Sequence, residues 1–433
     1  MTFHNISRTI AGLLAICFLS VGASHVRSAD SEAINKMLTQ GRLKDCATQL
    51  KSDIAAKPDD QLAQAGLGVC EFLQAVEKLG QDQYRFGLLA NRSIALPMMR
   101  LPLGENPKPD KLDYASARKI VQNFVDSLMR AEEQLAKVKP ADIKLRLRVD
   151  QIRLDLNGND SYEDDATFGQ VMQSLQNART FNFGGRGAAQ QVPAISIAFD
   201  DADVLWLRGY CHVMAALGEV VLAYDWKDQF ERTAHLFYPN VETPYAFLLK
   251  EPPAENIFNS QSILDGIALI HTFNYECTEP ARMKTALAHL ESVIDLSRKS
   301  WKLINQETDD DEEWLPNINQ KSVVMGVSVS KEMQMGWSLF LDEMEAILQG
   351  KKLAPFWRGV PFQPNAALPV NREYGINVRK IFTEPKRFDL VLAIQGTGIQ
   401  PFLEKGKITS DDTWNNIGRA FRGNFMFFMF WAN

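Results

Sequence analysis

The chain has 433 residues, is 45% hydrophobic and carries 47 basic against 53 acidic side chains, a formal net charge of −6. That apolar fraction is ample for a packed core. A mildly acidic balance without a Lys/Arg cluster lacks the electrostatic footprint of a nucleic-acid binder, so nucleic acid is not expected among its partners.

The N-terminus reads as a secretory leader. Arg8 gives the positive charge, Ile10 to Val21 (IAGLLAICFLSV) the apolar run, and Val21-Gly22-Ala23 the small residues of a cleavage site. The run is too short for a helix across a hydrocarbon core of ~30 Å, which counts against an uncleaved membrane anchor. Bulky Ile16 before Cys17 counts against a lipoprotein. Cleavage after Ala23 is expected, leaving a periplasmic or extracellular chain with no transmembrane helix. Loss of Arg8 leaves 46 basic against 53 acidic residues, a net charge of −7. About 410 residues remain, more than one ordinary domain, so two or three units are expected.

Four cysteines survive the leader: Cys46, Cys70, Cys211 and Cys277. An even count in an oxidising compartment predicts two disulfides. Pro58 lies 12 residues from both Cys46 and Cys70, so an antiparallel helix pair turning at Pro58 would set the two sulfurs at one height. Cys211–Cys277 follows only by elimination.

Residues 31 to 90 carry helix formers with apolar spacing near 3.6. Gly41, Leu43, Cys46, Leu50, Ile54 and Pro58, followed by Leu67-Gly68, resemble a tetratricopeptide repeat and half of the next. The resemblance implies stacked helical hairpins, although Cys46 and Asp53 stand where that family prefers alanine. A plain helical hairpin explains the same pattern. Four prolines in residues 97 to 110 (PMMRLPLGENPKPD) mark a linker or surface loop. A helix is expected over 114–138 and, after Pro140, another over 142–154.

The run Asp155-Leu-Asn157-Gly-Asn159-Asp160-Ser161-Tyr162-Glu163-Asp164-Asp165 resembles the calcium loop of EF-hand proteins. Calcium takes six to eight oxygens, supplied by alternating short acidic and amide side chains. The resemblance implies a Ca²⁺ site formed by Asp155, Asn157, Asn159, Ser161 through its carbonyl, Glu163 and Asp165, between an entering and a leaving helix. Asp160 replaces the family's turn glycine and Ala166 its closing glutamate, so weak binding is expected. The competing reading is a polar turn between helices. The Gly-rich stretch 180–193 is taken as a boundary between a region 24–180 and a larger region 190–433.

Residues 204–226 (VLWLRGYCHVMAALGEVVLAYDW) are apolar nearly all round, as in a buried helix. Arg208, His212 and Glu219 interrupt it. At 3.6 residues per turn His212 lies about 40° and Glu219 about 20° from Arg208, so the three share one face. Such a face is either a core polar network or a site for acid–base chemistry. A central Arg and Glu oppose insertion into a membrane. Further helices are expected over 260–273, 280–304 and 331–348. The acidic run Asp309 to Glu313 reads as a solvated turn. The runs INVRKIF and FDLVLAI within 376–394 suggest a small hairpin. A last helix should start at Ser410, and Phe425 to Trp431 should dock into the core.

His271 and His289 sit on different predicted helices, without metal-ligand spacing to a partner. Gln395-Gly396-Thr397-Gly398 is too short for a phosphate cradle, and Trp357-Arg358 reads as a loop packing on the core. No catalytic motif occurs. The expected architecture is mainly α: helical hairpins, then a larger helical part with a small β-hairpin. The expected function is an exported binding or scaffold protein for a protein or envelope ligand, with bound calcium; the alternative is a hydrolase built on Arg208, His212 and Glu219.

Overall fold

The computed structural model describes residues 29–89, 101–160, 167–177, 194–250, 260–323, 328–358 and 374–429. The expected leader, residues 161–166 of the calcium-like loop and the Gly-rich stretch 180–193 lie outside the described residues.

The chain enters through α1 (Ser31–Thr39), α2 (Leu43–Ala56), α3 (Gln61–Arg85) and α4 (Tyr114–Leu135). Short acids start three of them. Asp30, Asp60 and Asp113 accept hydrogen bonds from the N–H groups of Glu32, Ala63 and Ser116 at the open ends of α1, α3 and α4. Leu43, Cys46 and Leu50 line the buried face of α2. Gly68 is a packing requirement: a Cβ there would lie 2.4 Å from Leu135 Cδ2, so its absence lets α4 close on α3.

The helix expected over 142–154 is not found. Leu145–Arg148 is instead strand β1, paired antiparallel with β2 (Ser196–Phe199), and a 3-10 turn follows at Val149–Gln151. The cause is local. Leu145-Arg146-Leu147-Arg148 alternates with a period of two, and the leucines are buried while Arg146 is exposed. Helix α5 (Phe168–Asn177) follows the calcium-like loop. The pairing of β1 with β2 joins the segments flanking the Gly-rich stretch, and one buried apolar cluster runs from Ile34 to Phe428.

Helix α6 (Asp201–Ala223) packs between α4 and α9 (Pro280–Ile304). It is the one helix among the described residues long and apolar enough to cross a membrane by length and composition. Gly218 faces α4, where an added Cβ would lie 2.3 Å from Val125 Cγ2. Strand β3 (Tyr224–Asp225), α7 (Lys227–Thr233), α8 (Ser260–His271) and β4 (Asn274–Cys277) connect α6 to α9. Beyond α9 come α10 (Lys331–Leu348), β5 (Ala354–Pro355), β6 (Gly375–Ile376), α11 (Val378–Thr383), β7 (Phe388–Asp389), α12 (Leu390–Gln395), β8 (Leu403–Glu404), α13 (Asp411–Ala420) and α14 (Phe425–Phe427). The fold is mainly α, with small sheets of two or three strands.

Within 376–394 the strands are confined to β6 and β7, and these pair with other segments rather than with each other. The rest is helix, because Asn377 and Asp389 cap α11 and α12 by accepting from Lys380 N and Leu392 N. Trp357 Nε1 donates to Ile394 O and Arg358 to Gln395 O, so the basic–aromatic spot closes the C-terminal end of α12. Ser410 caps α13, as its position foretold. Phe428 is 1% exposed and meets Trp301, Trp337 and Phe421.

All four cysteines are thiols here. Those of Cys46 and Cys70 are buried and hydrogen-bonded to each other. Cys211 and Cys277 do not meet, which corrects the pairing reached by elimination. Cys277 sits opposite Tyr224 across the β3–β4 pair. Cys211 lies 13 residues before Tyr224, and at 1.5 Å per residue that is about 20 Å along α6, whereas a disulfide needs its Cα atoms within about 7 Å.

Candidate metal centre

Strand β2 delivers Asp200 to the start of α6. Asp200 accepts hydrogen bonds from Ala202 N at 2.8 Å and Asp203 N at 3.0 Å, and Asp203 accepts from Asp200 N at 3.3 Å. This reciprocal cap fixes both carboxylates. Across from them the chain leaves α9 and turns through residues 305–313. Asn317 Nδ2 donates to Ile304 O at 2.9 Å, and Gln320 Nε2 donates to Glu307 Oε2 at 3.2 Å and to Asp309 O at 2.8 Å. Glu313 accepts from Asp311 N at 3.1 Å.

The result is a carboxylate cluster. Asp200, Glu307 and Glu313 each offer one oxygen, and the three atoms lie within 4.8 Å of one another. They line an open cleft of about 310 Å³, with Ile143 and Leu303 as apolar walls. Glu313 and Asp203 are buried, and Asp200 and Glu307 are half-buried. Among the described residues, no basic side chain forms an ion pair with any of these four acids. The nearby cations are engaged elsewhere: Lys144 pairs with Asp309 and Asp311, and Arg146 with Asp311 and Glu312. The acidic run is therefore less a solvated turn than a strap tied to β1.

Crowded, partly dried carboxylates hold their protons. Burial first, and then the charge of Asp200, push Glu307 up to about 8. Burial also raises Glu313 to about 7. Asp200 is raised by burial, and Asp203, wholly enclosed beside Asp200, well above the carboxylate range. Glu307 and Asp200 lie within interaction range of each other, so a cation seated between them would take the place of a proton. Oxygen donors alone, with room for water, fit a hard divalent ion such as calcium.

The calcium-like loop is arranged differently. Asp155 is 1% exposed. Its carboxylate accepts from Gly158 N, Asn159 N and Asp160 N at 2.8–3.2 Å, and Asn157 accepts from Asn159 N. These bonds spend the Asp155 oxygens on the loop's own backbone. The segment entering the loop is a strand and a 3-10 turn, not the helix that the resemblance implied. Of the expected ligands, Ser161, Glu163 and Asp165 lie outside the described residues.

Arg208, His212 and Glu219 do share a face of α6, and each finds a partner on a neighbouring helix. Arg208 donates to Glu132 Oε1 through Nε at 3.0 Å and Nη2 at 2.9 Å. His212 Nε2 lies 3.6 Å from the same oxygen, and its Nδ1 lies 2.8 Å from His289 Nδ1. Glu219 pairs instead with Arg282 at 3.0 Å, one element of a second network with Glu279 and Arg118. The three residues thus divide between two networks.

No family model, curated protein or solved structure matches this chain. Its reading therefore rests on these sites. Spacing gave no access to the cleft, whose acids come from distant segments. The only sequence signal was FDDAD, an acidic cap before an apolar helix.

Proposed function

We propose that this chain is an exported helical binding protein that holds a divalent cation, calcium by its chemistry, between the start of α6 and the turn after α9. One observation carries the reading: three carboxylate oxygens converge within 4.8 Å in an open cleft, without a basic partner among the described residues. Three such acids are costly to ionise together, and a cation relieves that cost. Export supplies calcium-rich surroundings, and an oxidising compartment would close the adjacent Cys46 and Cys70 thiols into a disulfide. The binding reading is favoured over the hydrolase because Arg208 and Glu219 are engaged by Glu132 and Arg282. Exposed Ile263, Leu264, Ile267 and Ile270 on α8 also suit a protein that meets a partner from the envelope.

Calorimetry on the leaderless chain tests the proposal. Calcium should bind at one site, Glu307→Gln should abolish the heat, and Asp155→Asn should leave it. Absence of heat at millimolar calcium, or heat that survives Glu307→Gln, overturns the assignment.

A further inference from the structure

A second set of metal-ligating side chains lies along α6, away from the carboxylate cleft. His212 projects from α6, His289 from α9 and Glu132 from α4. The two imidazoles meet edge to edge, with Nδ1 atoms 2.8 Å apart and ring planes inclined at 42°. At that distance one ring donates its N–H to the other, and the same two nitrogens, moved slightly apart, can hold a metal ion in place of that proton.

The carboxylate favours one His212 tautomer. Glu132 Oε1 lies 3.6 Å from His212 Nε2, too far for a direct hydrogen bond but close enough for its charge to favour an N–H on that side, with the Nδ1 lone pair toward His289. Glu132 is itself held by two donors of the Arg208 guanidinium. A carboxylate behind one ring nitrogen and an open lone pair on the other is the arrangement that orients a metal-binding histidine. The seam is sheltered: the side chains of His212 and Glu132 are 11% and 13% exposed. His289 is half-buried and so keeps some contact with solvent. Arg208 is the basic group in the seam, and its charge is balanced by Glu132.

We infer that His212 and His289 form a binding site for a borderline divalent transition metal, zinc in the first instance, with Glu132 as the positioning residue behind His212. With metal–nitrogen bonds of 2.0–2.1 Å and tetrahedral angles, the two nitrogens would stand about 3.3 Å apart. The rings need to open by about 0.5 Å, within reach of side-chain rotation. The remaining positions would be filled by water or by a ligand atom from outside. Zinc would take the place of the proton between the rings, so binding should weaken as the pH falls. Imidazole nitrogen suits zinc, whereas the all-oxygen cleft suits calcium, so the two sites differ in kind.

The test uses untagged, leaderless protein and zinc chloride in competition with a chromophoric chelator at pH 7.5. Wild type should bind one zinc ion at this site. His289→Asn should weaken it at least tenfold, and Glu132→Gln by about 10- to 100-fold. Glu307→Gln should leave it unchanged, which separates this inference from the calcium proposal. X-ray absorption of zinc-loaded wild type needs no variant to fold, and should show two imidazole nitrogens. An all-oxygen shell, no zinc binding, or binding unchanged in the His212→Asn/His289→Asn double variant overturns the inference.

Discussion

Proton competition at Glu307 gives the sharpest test of the cleft. Its carboxyl is pushed up to about 8, first by burial and then by Asp200, from an ordinary value of 4.5. At neutral pH the metal-free site therefore holds a proton that calcium must expel. For that proton alone the apparent affinity falls by 1 + 10^(pKa − pH), roughly 10-fold at pH 7 and roughly 100-fold at pH 6 relative to pH 9, and Glu313, raised to about 7, steepens the fall below neutrality. Calorimetry in buffers of different ionisation enthalpy should find at least about one proton released per calcium at pH 7, with a further share from Glu313, and little at pH 9. The sign for stability follows from the same shift. A carboxyl whose native value is raised binds more protons folded than unfolded, so its stabilising contribution is complete below 4.5 and fades as the pH rises through about 8. Added calcium should therefore raise the melting temperature most at pH 8–9. Glu307→Gln, which keeps a hydrogen bond to Asp200 within reach but has no proton to lose, should remove the calcium response. An affinity flat between pH 6 and 9 with no proton release would refute the reasoning.

Four further outcomes follow from the packing. Burial first and then the neighbouring His212 lower His289 below its ordinary 6.5, so the unfolded chain takes up protons more readily. The urea midpoint should fall between pH 7.5 and 5.5, and less so in His289→Gln; equal falls would exclude this pair as the cause. Phe428→Ala empties the aromatic cluster around Trp301 and Trp337 and should cost about 3–5 kcal/mol in urea unfolding. Gly218→Val drives a side chain into Val125, 2.3 Å from the added Cβ, and should cost at least about 1–3 kcal/mol; an unchanged midpoint would mean that α4 and α6 can separate freely. Protein isolated from its native compartment without reductant, then denatured, should react with maleimide at Cys211 and Cys277 but not at Cys46 and Cys70. Labelling at all four thiols refutes a bridge that should stabilise by about 3 kcal/mol.

Much of the helical framework was legible because its causes are short-range. Ser410 starts α13 since its hydroxyl accepts from Thr413 N three residues on. The same rule, applied at Asn377 and Asp389, would have turned the expected hairpin into two capped helices. Those two caps outweigh the β-branched and aromatic residues of 376–394. The helix expected over 142–154 failed for a similar reason, because the two-residue alternation of Leu145 to Arg148 outweighed general helix propensity. Pro58 midway between Cys46 and Cys70 brought those thiols together, since one turn sets the register of two adjoining helices. Cys211 and Cys277 had no such local link, and counting alone mispaired them.

The sequence alone determined that α6 carries Arg208, His212 and Glu219 on one face, because helical period fixes direction without reference to anything outside the helix. What those side chains meet was decided by tertiary structure: Glu132 from α4, and His289 and Arg282 from α9. The carboxylate cleft depends on it entirely. Asp200 and Glu313 are 113 positions apart in the chain and meet because the strap after α9 is tied to β1 by Lys144 and Arg146. Caps and amphipathic period act within about four residues of chain and can be read from it. Convergence of like charges is unfavourable in itself, leaves no local pattern, and exists only where the surrounding packing holds it.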